Sequence, residues 1–381
     1  MGARFLEWLK LRWPVVPPVS IVVMVASVVA LISPSWERDV TIMMIYVALV
    51  VALYTFVGNS GVLSFGHASF LAISAYGSAI LTMAPMRKSV VLPSLPHFFA
   101  GLHMNWLTGM LVAALAAAFF AFLVGYPLMK LKGIEAAVAT FAVTVIVYTV
   151  ASEWKAFTTG KTSINVTRST DFTRAMVFML LIILIAWLYQ RSRFGLRVRA
   201  AREDEEAARA VGINVHKERL IAFVLSGFLS GLGGVLYGHY LGSFWPGAFW
   251  TDITFLPIAM LVVGGMKSLS GAILGALSVS TILEILRIFE NGLAFGEVTI
   301  AGPISLREMG TGLLLLLILL LRPRGITGGR EITWPFTARE KLQKNRDPTG
   351  SLIGGATESG NKRTSDTNLS VFQADEATLE R

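Results

Sequence analysis

The feature that most constrains this chain is a near-continuous series of apolar stretches. They span residues 15–33, 41–57, 66–84, 105–127, 134–151, 174–189, 220–241, 252–266, 270–289 and 308–321. Crossing ~30 Å of hydrocarbon takes ~20 mostly apolar residues in a helix. A globular core buries several such segments, but not a series that fills most of a 381-residue chain. Charged residues make up only 15%, against roughly 25% in soluble domains. Of the 57 charges, 18 fall within residues 322–381, which leaves the first 321 positions sparser still. The sequence therefore reads as an all-α polytopic membrane protein. About ten transmembrane helices are expected, and the short stretches at 252–266 and 308–321 set the range at eight to eleven.

Loop charges give the orientation, because cytoplasmic loops are enriched in Lys and Arg. With a cytoplasmic N-terminus, the inner segments 1–14, 58–65, 128–133, 190–219, 267–269 and 322–330 carry 17 Lys/Arg, and the outer segments carry 9. Both termini are thus expected inside, with 1–14 a cytoplasmic lead-in, 15–321 the membrane domain and 322–381 a cytoplasmic tail. Arg4, Lys10 and Arg12 before an apolar run resemble a signal peptide. With no small-residue cleavage site evident, a retained first helix is expected. The formal net charge of +9 is accounted for by these loops, so nucleic acid is not an expected partner. The absence of cysteine excludes disulfides, thiol catalysis and Cys-based metal sites. The tail after Arg330 is rich in Gly, Ser, Thr, Asn and charge, a composition expected to stay disordered. Gly/Ser-rich breaks at 58–70 and 264–275 precede apolar helices, as in transporters built from repeats. Two equal five-helix repeats would put the second break one span earlier.

The most informative loop is 190–219, QRSRFGLRVRAAREDEEAARAVGINVHKER. Gly195 is expected to break the chain after the sixth span, and 196–211 to form one short helix of strong helix formers. Arg199–Glu203, Arg202–Glu206 and Glu205–Arg209 are spaced i,i+4 for ion pairing. Gly212 follows as a C-terminal cap, and Leu196, Ala200, Ala207, Ala208 and Val211 offer an apolar side. Such a helix reads either as a solvated loop laced with ion pairs or as a rigid surface element for a cytoplasmic partner. Glu206-Ala207-Ala208, three residues, then Gly212 is similar to the EAA-x₃-G core of the coupling loop in permeases of ATP-driven importers. Glu135-Ala136-Ala137 is a decoy, because Phe141 stands where the glycine should be.

Together with GNSGVLSFGHASFLAISAYG (58–77), FGLRVRAAREDEEAARAVGINVHKERLIAFVLSGFLSGLGGVLYG (194–238), VVGGMKSLSGAILGA (262–276) and LLRPRG (320–325), this loop makes residues 40–328 resemble the LivM-type permease subunit of the branched-chain amino-acid ABC importers. The resemblance implies a non-enzymatic transport subunit in the bacterial inner membrane, surrounded by lipid. It would pair with a homologous second permease, two cytoplasmic ATPases that carry the ATP and Mg, and a periplasmic solute-binding protein. No cofactor is implied on this chain. The cargo implied is a branched-chain amino acid or a similar small polar solute, such as an amide or urea. Coupling to the ATPase falls on Arg199, Glu203, Glu206, Ala207, Ala208 and Gly212. Where the family usually has Gly followed by an aromatic, this chain has Gly133-Ile134-Glu135, a carboxylate close to the membrane.

The 58–77 segment reads as a small-residue helix that neighbours can approach closely. Ser64, Gly66, His67 and Ser69 within it, with Glu135, are candidates for the translocation pathway, since a polar side chain at membrane depth is a functional hypothesis. The other reading of His67 is a packing residue with one satisfied hydrogen bond. Gly58-Asn59-Ser60-Gly61 has the form of an intramembrane protease motif. A helical 60–67 would hold Ser60 and His67 ~10.5 Å apart, beyond the ~2.6–3.2 Å a nucleophile–base pair needs. Gly160-Lys161-Thr162 lacks the first glycine of a P-loop, Lys155 standing in its place. An ion-coupled secondary transporter is the rival reading. Its acidic candidates are Glu135, Asp252 and Glu284, the last spaced i,i+3 from Arg287.

Overall fold

The computed structural model describes residues 34–291, 293–295, 298–300, 309–310, 312–313, 325–328 and 331. The expected segment 1–14, the expected span 15–33, most of 308–321 and most of the tail lie outside these residues.

The membrane helices are α1 (Pro34–Ser60), α2 (His67–Thr82), α5 (Trp106–Leu128), α6 (Gly133–Glu153), α8 (Phe172–Arg191), α11 (Val215–Leu241), α12 (Thr251–Gly264) and α13 (Leu269–Asn291). Between them lie the short helices α3 (Pro85–Val91), α4 (His97–Gly101), α7 (Lys155–Thr158), α9 (Arg193–Glu203) and α10 (Glu205–Ala210). Seven segments are long and apolar enough to cross a bilayer, counting the 3₁₀ turn before α12 as part of its span. The α2 helix has 16 residues and is buried along nearly its whole length, so its neighbours, rather than lipid, satisfy it. Eight of the ten expected spans are therefore helices here. The chain is an all-α multi-pass membrane protein.

Contacts between distant segments define two poles. At one, the loops after α6 and α11 pair as β1 (Ile164–Asn165) and β2 (Ser243–Phe244), with Ile164 opposite Phe244. There Tyr240 donates to the Arg38 carbonyl, and Arg287 bridges Asp39 at 2.7 Å and Glu284 at 2.5 Å. The expected Glu284–Arg287 pair is thus joined by a third group from α1. Further along, β3 (Leu293–Phe295) pairs with β4 (Val298–Ile300). At the opposite pole, α9 and α10 meet the end of α1 and the turns α5–α6 and α12–α13.

The centre of the bundle is α11, which packs on α1, α2 and α5. In lipid there is no hydrophobic drive between helices, so close van der Waals packing of small residues holds them. Gly231 of α11 faces Ala114 and Ala117 of α5, and Gly234 faces Leu71 and Ser74 of α2. A methyl group at Gly234 would sit 2.5 Å from Ser74 Oγ and 2.6 Å from the Leu71 backbone.

Segment 58–77 is not one helix. Gly61 takes φ +73° and ends α1, residues 61–66 are non-helical, and α2 begins at His67. The second Gly/Ser-rich break is also real. Gly265, at φ +113°, turns the chain between α12 and α13. Ile326 donates to the Val263 carbonyl at 2.8 Å, and the Glu331 carboxylate accepts from the Leu269 and Ser270 amides at 2.7 and 3.3 Å. Two of the sequence signatures, 262–276 and the end of 320–325, therefore meet in space. The carboxylate also complements the positive end of α13.

Overpacking a tight crossing costs about 1–3 kcal/mol. Gly234→Ala should lower the thermal midpoint of the detergent-solubilised protein, followed by loss of its monodisperse peak in size exclusion. Gly101→Ala, where a Cβ meets open space, should leave the midpoint unchanged.

Candidate functional site

The site at the α9–α10 pole starts from a helix break that the pattern of helix formers conceals. The loop does not form one helix over 196–211. Its two helices meet at Asp204, which is extended (φ −150°, ψ 110°) and caps α10 by accepting from the Ala207 amide at 2.9 Å. An Asp at an N-cap satisfies a free helix amide better than a continued turn does. Upstream the break falls at Ser192, whose hydroxyl accepts from the Gly195 amide at 3.2 Å. Gly195 lies within α9. A side chain there would run into the backbone of Tyr189 and Gln190, so its smallness serves close approach instead of ending a helix.

The ion pairs rearrange accordingly. Arg199 does not pair with Glu203; it donates to the Gln190 carbonyl at the end of α8, at 2.5 Å. Arg202 and Glu206 lie on opposite sides of the break. Arg202 donates to the Gly58 carbonyl at the end of α1, also at 2.5 Å, and pairs with Glu203. Both arginines thus occupy C-terminal helix carbonyls, where unpaired acceptors and the negative dipole end favour a cation. Glu203 reaches Lys267 in the α12–α13 turn at 3.6 Å. Its hydrogen bond and charge contact with Arg202, then Lys267, hold its carboxyl below the usual range. Tyr54 of α1 donates to the side chain of Gln190 at 2.8 Å, which joins the two helix ends that the arginines occupy.

Glu205–Arg209 is the one expected pair that forms, at 2.5 Å, and it is part of a larger cluster. Glu205 also meets Arg219 of α11 at 3.0 Å and Lys132, just before α6, at 3.1 Å. Burial opposes its charge, but the contacts with Lys132 and Arg219 prevail and hold its carboxyl below the usual range. Beneath α10, Ala208 packs with Ala201 and Val215. Glu206, Ala207 and Gly212 face outward, and Gly212 takes the expected left-handed conformation at φ +83°. Leu196 (55% exposed) and Val211 (76%) are not buried against the bundle as an apolar side would be. Gly195, Val198 and Ala201 are the buried positions of α9. The result is a platform whose base is tied to α1, α8, α11 and the turns before α6 and α13, and whose top presents Glu206, Ala207, Val211 and Gly212.

The 61–66 break is held differently. Thr140 of α6 accepts from the Phe65 amide at 3.1 Å, and Thr144 donates to the Phe65 carbonyl at 2.8 Å. Ser69 lies 3.2 Å from Thr144, and Ser64 accepts from the Gly66 amide at 3.3 Å. His67 Nε2 lies 2.6 Å from Ser226 Oγ, and Ser226 spends its single proton on the Ala52 carbonyl at 2.6 Å. The proton of the His67–Ser226 bond is therefore on the imidazole. Phe56, Phe70 and Phe223 surround this ring. His67, Ser64 and Phe65 also line a cavity of about 10 Å³ with Leu53, Ser230 and Thr254, room for roughly one water. Ser60 accepts from the Val62 amide and makes no pair with His67. Glu135 is exposed in the first turn of α6, away from Ser64, Gly66, His67 and Ser69. Phe65, Phe141, Tyr148, Trp250 and Phe255 form an aromatic cluster beside the break. The sequence reading missed Lys132, Arg219, Lys267, Thr140 and Thr144. Basic residues in the short turns before α6 and α13 were the available signal for the two lysines.

Residues 38–321 match the family profile described as branched-chain amino acid transport system / permease component. The high-affinity branched-chain amino acid transport system permease protein LivM of Escherichia coli (strain K12) is 26% identical over 321 residues, covering 75% of this chain and 68% of the relative. Two proteins of Methanocaldococcus jannaschii match over shorter stretches. The probable branched-chain amino acid transport permease protein LivM is 30% identical over 170 residues (42% of this chain, 49% of the relative). Its LivH counterpart is 32% identical over 158 residues (41% and 48%).

Glu205 lies lowest in its folded environment when ionised, so its stabilising effect is present above the ordinary carboxylate range and disappears as pH falls through its lowered pKa. Protection of the residue 205–212 amides against hydrogen exchange, taken relative to the intrinsic rate at each pH, should be high at pH 7 and fall only below the ordinary carboxylate range. Glu205→Gln should show the low protection already at pH 7.

Proposed function

The chain belongs to the permease-component family of branched-chain amino acid transport systems, and from that premise we propose how this ABC importer permease subunit is energised and what it carries. The observation that carries the reading is the α9–α10 platform. Its exposed Glu206, Ala207, Val211 and Gly212 form a rigid projection for a groove on a cytoplasmic ATPase, with Arg199 and Glu203 bracing it from below and Ala208 seating α10. Two such ATPases would hold the ATP and Mg, and this chain would need no cofactor. The platform pole is then cytoplasmic, both termini lie inside, and the membrane is the bacterial inner membrane.

A homologous second permease completes the translocation pathway, a pairing supported by the match to both LivM and LivH proteins. A solute-binding protein would dock at the β1–β2 pole. The cargo is a branched-chain amino acid or a solute of similar size. Within this subunit the 61–66 break, with Ser64, Gly66, His67 and Ser69, forms the irregular stretch that such pathways require, since unwound backbone at membrane depth is tolerated where protein or a cavity satisfies it. Its aromatic neighbours Phe65, Phe141 and Phe255 suit an aliphatic side chain. Glu135 stands at the cytoplasmic mouth.

Ion coupling gains no support from the acidic candidates. Glu135 and Asp252 are exposed at span ends, and Glu284 is paired with Arg287.

The test is reconstitution with the partner subunits in vesicles. Glu206→Lys and Val211→Asp should leave insertion intact but release the ATPases on purification. ATP-dependent uptake should then drop by tenfold or more, since an unpaired charge in such an interface costs about 2–5 kcal/mol. Retention of the ATPases with unchanged uptake would remove the platform from the coupling path.

A further inference from the structure

Both halves of the platform meet α11, where Arg197 of α9 bridges Glu218 at 3.3 Å and Glu205 of α10 bridges Arg219 at 3.0 Å, but they differ in how firmly they are held elsewhere. The α9 helix is fixed to α8 and α1 by Arg199 on the Gln190 carbonyl and Arg202 on the Gly58 carbonyl, and by the burial of Val198 and Ala201. The α10 helix has fewer ties. It is set off from α9 by the extended Asp204 and from α11 by Gly212 at φ +83°. One methyl, Ala208, seats it, and the Glu205 carboxylate holds it.

Of the three cations around Glu205, Arg209 is on α10 itself and Arg219 is on α11. Lys132 alone belongs to another moving candidate, because it immediately precedes α6. The α6 helix is the least buried of the seven candidate spans. It packs through a narrow stripe of Ala136, Ala137, Thr140 and Thr144. The same stripe holds the Phe65 peptide, and its neighbours Phe141 and Tyr148 belong to the aromatic cluster at the break. At its start Gly133 takes φ +54° with open space around it, a joint with room to turn.

We infer that the Lys132–Glu205 ion pair is the link that transmits displacement of α10 to α6, and through Thr140 and Thr144 to the 61–66 break. In this arrangement Glu205 is a positioning residue. Its contact with Arg219 keeps α10 on the bundle, and its contact with Lys132 makes α6 follow. The side chain of Lys132 is 57% exposed, so its removal breaks the link without opening a cavity. The inference rests on the platform docking an ATPase.

The experiment uses the complete importer in proteoliposomes and measures solute imported per ATP hydrolysed. Lys132→Met should assemble with the ATPases and hydrolyse ATP at close to the normal rate, while solute per ATP falls by about fivefold or more, the low end of typical coupling between sites. Lys132→Arg, which restores the cation, should restore the ratio. A purely structural role would lower assembly or thermal stability and leave the ratio of the surviving complexes unchanged. An unaltered ratio in Lys132→Met overturns the inference and leaves the docking reading standing. If the wild-type chain retains no ATPase on purification, the docking reading fails and the inference with it.

Discussion

Inside a bilayer there is no water to complete a broken hydrogen-bond ladder, and this requirement governs the rest of the structure. The chain leaves the helical conformation at residues 61–66, which run from the platform pole back into the bundle, and the peptide groups freed there need other partners. Thr140 and Thr144 supply both sides of the Phe65 peptide. Ser60 and Ser64 supply the amides of Val62 and Gly66. The α6 helix is thus required for the α1–α2 connection to exist at all, although it is the span with the least packing of its own. Support of the break is thus concentrated on one narrow stripe of a helix whose other faces are exposed.

A second consequence of the same solvent is the use of small residues along α11. With hydrocarbon on every outer face, burial of apolar side chains between helices gains little over contact with lipid. Affinity comes instead from backbone proximity at Gly231 and Gly234, and from the few polar bonds that closeness permits, such as His67 to Ser226 and on to Ala52. His67 fits this description well. It joins α2 to α11, and through Ser226 to α1, and its surroundings are three phenylalanine rings.

Much of the architecture was readable in the residues. Long apolar runs are local signals, and eight of them coincide with helices. The glycine after α10 was equally legible, because a left-handed cap is a property of one residue. The platform was readable in position but not in form. Spacing on an ideal helix paired Arg199 with Glu203 and Arg202 with Glu206. Arg199 instead reaches the carbonyl at the end of α8, Arg202 is shared between the α1 carbonyl and its neighbour Glu203, and Asp204 caps α10, which takes Glu206 to the far side of the break. The decisive partners are far away in the chain: Gly58 for Arg202, Lys132 for Glu205, Lys267 for Glu203. No periodicity over a window of a dozen residues carries that information. Glu135 was selected for its charge near the membrane, and its exposure at the mouth of α6 separates it from the polar residues at the break.

The bond from Arg202 to the Gly58 carbonyl joins residues 144 positions apart, which bears on how the molecule is made. Synthesis runs from the N-terminus, so α1 enters the membrane with its last turn of carbonyls unmatched, and the guanidinium that completes it emerges only after four further membrane helices. The same is true of Lys132, which waits for Glu205, and of the Phe65 peptide, which waits for α6. Early in biogenesis the N-terminal half therefore carries polar groups whose partners have yet to be made. The α6 helix closes the Phe65 peptide, and the arrival of α9 and α10 closes the other two. The loop that carries α9 and α10 is thus the one whose contacts reach back to complete the earlier helices.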